Sequence, residues 1–301
     1  MIIPKVSICI PAYRQPELLH RTLQSVITQS FNDYEVIITD DTPDESIRNV
    51  LKEFLPNNNI RYYRNSIREG SPGNWNVALG HAQAEYIKML HHDDWFSDKN
   101  SLSKFVKMLD DNPNADMAFS ATNVCSNHEI KYIHSSTERQ RKKLNRNPLS
   151  LFSGNFIGPP STTIFRKKQN ITFDPHLKWV VDIDFYIRIL IGNKHFIYNA
   201  EPLVCTTVGA SHQVTRECEY NRDVQLYEWI YLYTKVHSSG HIGFEGIKCI
   251  WNLLKRHNVE SSGELRALGV GHPLPINIKN IILFQRLMKR FNKFFCSLSA
   301  S

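Results

Sequence analysis

Apolar and polar positions in the first 120 residues follow two alternating patterns, one typical of strands and one typical of amphipathic helices. Strands that alternate with helices build a mainly parallel sheet with helices on its faces, so the predicted fold class is α/β. The strand pattern occurs at 5–10, 35–39, 60–63, 86–90 and 117–121, and the helical pattern begins at Pro16 and recurs at 45–54, 74–84 and 99–109.

Polar clusters follow three of these predicted strands directly. They are Pro11-Ala12-Tyr13, Asp40-Asp41 and Asp93-Asp94. Ligands of open α/β sheets bind beyond the carboxyl ends of the strands, so the three clusters predict one site at one edge of the sheet.

The rest of the chain has a different character. Residues 125–150 are polar and basic, typical of a surface loop or a helix, and 154–161 is rich in turn residues. Helical periodicity returns at 181–190, and the chain after about residue 216 is mostly helical in pattern.

Composition and charge exclude some classes of protein but do not indicate a function. The chain has 301 residues, a formal net charge of +7 and six cysteines without a CxxC pair, which disfavours a disulfide framework or a structural zinc site. The first apolar run is too short for a signal peptide, and no run approaches the ~20 residues of a spanning helix. These features predict a cytoplasmic protein.

The two aspartate pairs carry the clearest chemistry. Hard divalent cations prefer oxygen ligands and often bind one or two carboxylates together with phosphate oxygens, which suits Asp93-Asp94. Asp40-Asp41 follows an apolar run and offers acceptors to a base N–H or to ribose hydroxyls. The alternative for each pair is an ordinary turn or helix cap.

Five ordered blocks together resemble the opening of the family 2 glycosyltransferases. The resemblance is dense over residues 5–96, thins to patches up to about 215 and then stops. The blocks are VSICIPAY (6–13), LQSVITQSF (23–31), YEVIITDD (34–41), NWNVAL (74–79) and EYIKMLHHDDW (85–95).

The resemblance implies a GT-A fold, a Rossmann-like mainly parallel sheet flanked by helices, with a helical C-terminal extension. Residues 1–215 would form the catalytic domain, with a nucleotide-sugar half (1–120) and an acceptor half (121–215), and 216–301 the extension. It further implies an inverting, metal-assisted transfer of a hexose or related sugar from a nucleoside-diphosphate sugar to a glycan or lipid-linked hydroxyl. Bacterial surface polysaccharide assembly (O-antigen, capsule or exopolysaccharide) is the expected setting.

The resemblance also assigns positions around the donor. Pro11 and Tyr13 would line the base pocket, and Asp41 would hold the base while Asp40 supports the turn. Asp93 would contact the ribose, and Asp94 would bind Mn²⁺ or Mg²⁺. The chain departs from the family at His91, where the metal motif usually begins with an acid, and at Trp75, where many members carry Arg. Asn76 is still expected near the nucleotide.

A catalytic base is expected from the segment 179–189, which resembles the family's Glu-Asp segment at a helix start. Asp182 matches the Asp and is the predicted base, with Asp184 as the second choice. An N-cap role for Asp182 is the alternative. Segment 155–163, with Pro160 and Ser161, would line the acceptor side, or would be an ordinary buried turn. His212 in the loop 209–215 would reach the metal or diphosphate, or would be a surface residue.

The C-terminal tail predicts a two-sided helix. Such a helix would bind flat on an anionic membrane, at the inner face of the plasma membrane, or would dock on the rest of the protein. Its apolar residues are Ile281, Phe284, Met288, Phe291 and Phe295, and its basic residues are Lys279, Arg286, Arg290 and Lys293.

Other functional classes fit the sequence less well. A dinucleotide oxidoreductase would carry G-x-G-x-x-G after the first strand, and a P-loop or a glycine- and Arg/Lys-rich nucleotidyltransferase loop is also missing. The basic run at 139–146 has no nucleic-acid recognition motif, so no nucleic-acid partner is expected. A non-catalytic nucleotide-sugar or glycan-binding protein on the same fold stays open because of His91.

Overall fold

The computed structural model describes residues 3–126, 129–168, 171–209, 217–240, 243–270 and 273–298, the last segment with side chains up to 292. Its strands are β1 (Val6–Ala12), β2 (Tyr34–Asp40), β3 (Ile60–Arg64), β4 (Tyr86–Met89), β5 (Trp95–Phe96), β6 (Met117–Ser126), β7 (Glu129–His134), β8 (Thr163–Arg166) and β9 (Phe196–Thr207).

Helices separate most of these strands and fill the C-terminal part of the chain. They are α1 (Pro16–Ile27), α2 (Ser46–Leu51), α3 (Gly70–His81), α4 (Ser101–Asp110), α5 (Glu138–Arg146), α6 (Val181–Gly192), α7 (Arg222–Ser238), α8 (Phe244–Arg256), α9 (Ser262–Ala267) and α10 (Ile276–Leu298). Short 3₁₀ turns lie at Pro148–Ser153 and Pro160–Thr162.

The strands form one sheet in the order β3-β2-β1-β4-β8-β6-β9-β5, with β7 added to β6. The half β3-β2-β1-β4 is parallel throughout, and β6 also runs parallel to β9. Strands β5, β7 and β8 are antiparallel to their neighbours. The α/β class predicted from the sequence is confirmed, and the antiparallel strands all belong to the part after β4.

The central strands β1 and β2 explain why the strands in the first half of the chain could be predicted from the sequence. Every residue of β1 and β2 is buried, as expected for parallel strands covered on both faces. Ile8 and Ile10 belong to the core that also contains Leu19 and Leu23 of α1. The neighbouring Cys9 thiol donates to the Ala78 carbonyl of α3, at 3.7 Å. Because successive strand residues face opposite sides, α1 and α3 cover opposite faces of the sheet.

The polar segment 125–150 folds into an edge strand and a helix. Strand β7 pairs with β6 and is exposed along most of its length. Helix α5 begins with a capping box, in which Thr137 accepts from the Gln140 backbone while the Gln140 side chain accepts from the Thr137 backbone.

Internal contacts divide the chain into two compact units. The first contains 1–148 and 155–213, and the second contains 149–154 and 214–301. The domain boundaries expected from the family resemblance remain predictions. Across the residues that the structure describes, no helix combines the length and apolar character needed to cross a bilayer.

Candidate functional site

Three adjacent parallel strands, β2, β1 and β4, end at the same edge of the sheet. The Asp41 N–H donates to the Ala12 carbonyl (3.1 Å), and the Leu90 N–H donates to the Cys9 carbonyl (2.9 Å), so the ladder continues past each strand end. The ring Nδ1 of His92 lies 3.2 Å from the Pro11 carbonyl oxygen. The polar clusters after these strands therefore meet at one rim.

Asp40 is fully buried and its carboxylate holds the turn after β2. Its Oδ1 accepts from the Thr42 N–H and its Oδ2 accepts from the Tyr62 hydroxyl, both at 2.8 Å. Burial raises the pKa of Tyr62, and the hydrogen bond to Asp40 raises it further. These bonds are consistent with the role that the family resemblance implies for Asp40, which is to support the turn.

Asp41 organises the loop that follows β3. Its Oδ1 accepts from the Asn65 amide (2.7 Å) and the Glu69 N–H (3.1 Å), and its Oδ2 accepts from the Gly70 N–H (2.7 Å). Gly70 has a positive φ of 69°, a conformation that favours glycine. The carboxylate thus fixes the entry to α3.

Sequence reasoning singled out Asn76 and missed Asn74. The Asn74 amide is buried at the rim, where it donates to the Ala12 and Thr39 carbonyls (both 3.1 Å) and accepts from the Asn65 amide. The Asn76 amide instead exchanges two hydrogen bonds of 2.8 Å with the Phe173 backbone. Both residues belong to the block Asn-Trp-Asn, and nothing in that block indicates which of the two asparagines contacts the ends of β1 and β2.

Tyr13 lies beside a cleft of about 620 Å³ that Asp41, Arg64 and Arg68 also line. The Arg68 guanidinium lies 4.3 Å from the centre of the Tyr13 ring. Arg14 next to it adopts the left-handed region with φ 56°, and its N–H donates to the Thr42 hydroxyl at 2.7 Å. A strained residue in the turn beside a cleft is typical of a ligand site.

The turn after β4 brings three ligand-type side chains together. One nitrogen of His91 and one oxygen each of Asp93 and Asp94 lie within 4.8 Å of one another. The backbone of this turn is held from two directions. The Thr22 hydroxyl donates to the Asp94 carbonyl, and the Thr207 hydroxyl donates to the Asp93 carbonyl, both at 2.7 Å.

The electrostatics of this cluster favour a cation. Burial raises the pKa of Asp94 well above its ordinary value, and the neighbouring Asp93 raises it further. Burial lowers the pKa of His91 to about 4, which keeps the imidazole neutral and able to bind a metal. The His91 Nε2 is buried without a hydrogen-bond partner. Crowded carboxylates beside a neutral imidazole fit a divalent cation.

The two departures from the family pattern contact each other. The ring centroids of Trp75 and His91 lie 4.6 Å apart, and Phe173 packs edge-on against Trp75 with centroids 5.0 Å apart. An aromatic pair therefore stands where the family pattern has a cation and an acid, and it fixes the plane of the His91 ring.

Ser161 joins the cluster to the turn-rich segment 155–163. Its hydroxyl accepts from the His91 N–H (2.9 Å) and hydrogen-bonds the Asp94 side chain. Its carbonyl accepts from the Nζ of Lys88, a buried residue of β4 that sequence reasoning missed. Burial lowers the pKa of Lys88 to about 7, against the opposing influence of Asp94. Pro160 begins the 3₁₀ turn that presents Ser161.

Asp182 lies in the first turn of α6 and contacts the other end of the same segment. Its Oδ2 accepts from the Asn155 amide at 2.6 Å, and its Oδ1 accepts from the Ile183 N–H at 2.8 Å. Asp184 is buried, and its Oδ2 lies 2.8 Å from the Arg188 Nε in an ion pair. The segment 155–163 therefore links Asp182 to the His91 cluster, whereas Asp184 is paired on the helix. His212 lies outside the described residues.

Comparisons with known proteins give the family and the fold of the chain. The family model described as glycosyl transferase family 2 matches residues 7–172. A GalNAc(5)-diNAcBac-PP-undecaprenol beta-1,3-glucosyltransferase of Campylobacter jejuni is 30% identical over 93 residues, which are 30% of each chain. The first curated relatives are matched over 30% to 67% of their own length.

Two solved structures share the fold. S. aureus TarS 1-349 in complex with UDP-GlcNAc has a TM-score of 0.58 and 16% identity, covering 94% of this chain and 92% of that one. The mannosyltransferase PcManGT of Pyrobaculum calidifontis, in complex with GDP-Man and Mn²⁺, has a TM-score of 0.58 and 14% identity, covering 95% and 85%. The predicted GT-A fold is confirmed.

Proposed function

Because the chain belongs to glycosyl transferase family 2, we propose that it moves a sugar from a nucleoside-diphosphate sugar to a hydroxyl of a glycan or lipid-linked acceptor. The observation that carries the proposal is the His91, Asp93 and Asp94 cluster at the carboxyl end of β4. Ser161 contacts the cluster directly, and Asp41 follows β2 at the same edge of the sheet. The elements proposed for donor and acceptor binding thus share one edge with the proposed cation ligands.

The donor base would bind in the cleft beside Tyr13. Asp41 keeps an acceptor position on Oδ2, which accepts from the Gly70 N–H, whereas Oδ1 accepts from both Asn65 and Glu69. A base N–H would donate there, Tyr13 would line the pocket, and Asp93 would accept from the ribose. The contact expected from Pro11 stays a prediction, since Pro11 is buried and is not among the residues that line the cleft. Asn76 near the nucleotide stays a prediction. One neighbour of the same fold binds a uridine donor and another a guanosine donor, so the fold leaves the base open.

Mn²⁺ or Mg²⁺ would be held by Asp94, with Asp93 and His91 within reach. When bound, such an ion neutralises charge on the departing nucleoside diphosphate. An imidazole nitrogen among the ligands suits Mn²⁺ better than Mg²⁺, which prefers oxygen ligands alone. We therefore favour Mn²⁺.

Asp182 would be the catalytic base of an inverting transfer. It would take the proton of the acceptor hydroxyl as that oxygen attacks the anomeric carbon, opposite the leaving diphosphate. The Asn155 amide at 2.6 Å orients the carboxylate. Asp184 is the weaker choice, because it is almost fully buried and its charge is paired with Arg188, whereas Asp182 is partly exposed. Pro160 and Ser161 would shape the acceptor side.

The expected setting is bacterial surface polysaccharide assembly. The Campylobacter relative is named for a glycan on undecaprenyl diphosphate, which supports a lipid-linked acceptor. A cytoplasmic enzyme working on such an acceptor would act at the inner face of the plasma membrane. His91 supports one rival proposal, a protein on the same fold that binds nucleotide sugars or glycans without turnover.

A donor-binding and hydrolysis experiment separates these proposals. The protein is titrated with UDP-, GDP- and dTDP-sugars with and without Mn²⁺, and slow hydrolysis of the bound donor is followed. We expect one nucleotide to bind in a Mn²⁺-dependent way and its sugar to be released. Binding without any release, with acceptor extracts also present, would support the non-catalytic rival. Asp182→Asn should keep donor binding and lose transfer, with Asp184→Asn as the matched control.

A further inference from the structure

Helix α10 carries three separate stripes rather than two sides. The residues that pack inward recur with the spacing of one helix face and are Ile278, Ile281, Ile282 and Gln285. The Gln285 amide donates to the Trp251 carbonyl of α8 at 2.9 Å, so this stripe docks the helix within its own unit. Docking and an open apolar face, which the sequence offered as alternatives, therefore concern different stripes.

A second stripe is apolar and open to solvent. Phe284, Leu287, Met288 and Phe291 recur at i, i+3, i+4 and i+7 and are 44% to 59% exposed. The ring of Phe284 lies 5.6 Å from that of Trp251 of α8, so this stripe borders the docked one. Four large apolar side chains on one continuous face are more than the scattered exposed residues that ordinary surfaces carry.

The third stripe is basic. Lys279, Arg286 and Arg290 are exposed at i, i+7 and i+11, beside the apolar stripe, and none has an acidic partner among the described residues. No Asp or Glu occurs in the sequence after Glu264. The open side of the helix is thus apolar along one edge and basic along the other, where Leu283 is also exposed at 56%, and it carries no acidic residue.

We infer that this open side of α10 is a docking surface for an anionic phospholipid bilayer. Apolar side chains enter the acyl boundary while adjacent arginines and lysines bind the headgroup phosphates. A second copy of the chain is a poorer occupant, because two such faces would bring like charges together without an acid to offset them. The inference rests on the proposed function only for its purpose, since a lipid-linked acceptor lies at a membrane.

Vesicle co-sedimentation of the full chain tests the surface. The probes are vesicles of phosphatidylcholine alone and of phosphatidylcholine with phosphatidylglycerol in equal parts. We expect binding to the anionic vesicles only, weakened by salt. The variant Arg286→Gln/Arg290→Gln should bind about 30-fold more weakly, at ~1 kcal/mol for each basic residue. Leu287→Ser/Phe291→Ser should lose at least as much.

Matched controls lie on the other unit. Arg139 and Lys143 of α5 are exposed and without acidic partners in the described structure, and Arg139→Gln/Lys143→Gln removes the same charge. Ile130 and Ile133 of β7 are exposed apolar residues, at 59% and 54%, and provide the apolar control. We expect both controls to bind within about threefold of the unaltered protein.

Three outcomes overturn the inference. The first is an absence of binding to anionic vesicles, and the second is an equal loss of binding in the α5 or β7 controls. The third is a fall in the molecular mass of the protein in solution on Leu287→Ser/Phe291→Ser, which would mean that the apolar stripe binds a second copy of the chain. Nucleotide binding in the absence of vesicles is measured on every variant. None of the residues proposed to bind the nucleotide sugar lies on α10. A variant that keeps nucleotide binding and loses vesicle binding therefore tests the membrane surface separately from the proposed function.

Discussion

The aspartate pairs after β2 and β4 share a dipeptide but have opposite surroundings. Asp40 and Asp41 receive five hydrogen bonds from backbone, amide and hydroxyl donors, so their charge is satisfied by the protein itself. Asp93 and Asp94 lie beside a neutral imidazole, and burial with mutual repulsion raises the pKa of Asp94. The first pair builds a loop, whereas the second pair concentrates negative charge.

The difference teaches that a carboxylate's role depends on its charged neighbours as well as on its hydrogen-bond donors. Asp94 accepts from the Thr207 N–H at 3.1 Å, yet burial and the second carboxylate beside it raise its pKa, and such sites persist where a ligand supplies the opposite charge. Asp40 and Asp41 are therefore expected to govern stability and loop order, in addition to the base binding proposed for Asp41. Asp93 and Asp94 are expected to govern cation binding and turnover. Substitutions at the two pairs should have opposite signatures.

The largest expected effect is on turnover at the second pair. Asp94→Asn should lower transfer activity about 10³-fold, because several kcal/mol of charge stabilisation by the cation are lost. The melting temperature in EDTA should not fall, since a repelled buried charge is removed. Activity and calorimetry check both, with the exposed Asp98→Asn as control. A lowered melting temperature in EDTA would contradict the comparison.

The next effect is on stability at the first pair. Asp41→Asn should destabilise the protein by about 3 kcal/mol, because the amide has one acceptor oxygen and its NH2 group would then face the N–H of Glu69 or of Gly70. Denaturant titration measures the change, and hydrogen exchange should localise it to residues 65–70. A stability equal to that of the unaltered protein would show that these bonds are dispensable.

A smaller effect is expected on ion preference. His91→Asp should lower the ratio of Mn²⁺ to Mg²⁺ affinity about tenfold, since the softer nitrogen ligand is replaced by oxygen. The ratio is measured by titrating Mn²⁺ and Mg²⁺ separately into the protein with a bound nucleoside diphosphate. Electron spin echo spectroscopy of bound Mn²⁺ provides a second test, because a nitrogen coupling should be present and then vanish. An unchanged ratio and coupling would exclude His91 as a ligand.

The smallest effect separates the two members of the first pair. Tyr62→Phe should cost about 1 kcal/mol of stability, because it removes one donor to Asp40 while the Thr42 N–H remains. Donor affinity should stay within about twofold of the unaltered protein. Chemical denaturation and nucleotide titration provide the two numbers. Loss of donor binding would mean that Asp40 acts in the site and not only in the turn.

Much of the rim was predictable from local sequence. The strand ends at Asp40 and before His91 follow from apolar runs that stop at polar residues, and parallel neighbours place such ends together. The roles of Asp182 and Asp94 came from the family resemblance and remain proposals. Sequence reasoning missed Lys88, Asn74 and Thr207. Each bonds to a residue far away in the chain, and the periodicity of the sequence does not show such partners.

The sequence by itself determined the α/β class, the family, the edge of the sheet where the polar clusters meet and the amphipathic character of the tail. Local periodicity carries this information, because it depends on residues a few positions apart. Only the tertiary structure decided that Trp75 packs on His91, that Ser161 joins Asp94, and that α10 docks through one stripe and leaves another open. Those contacts join segments far apart in the chain or choose between faces of one helix, and the packing of the whole core selects them.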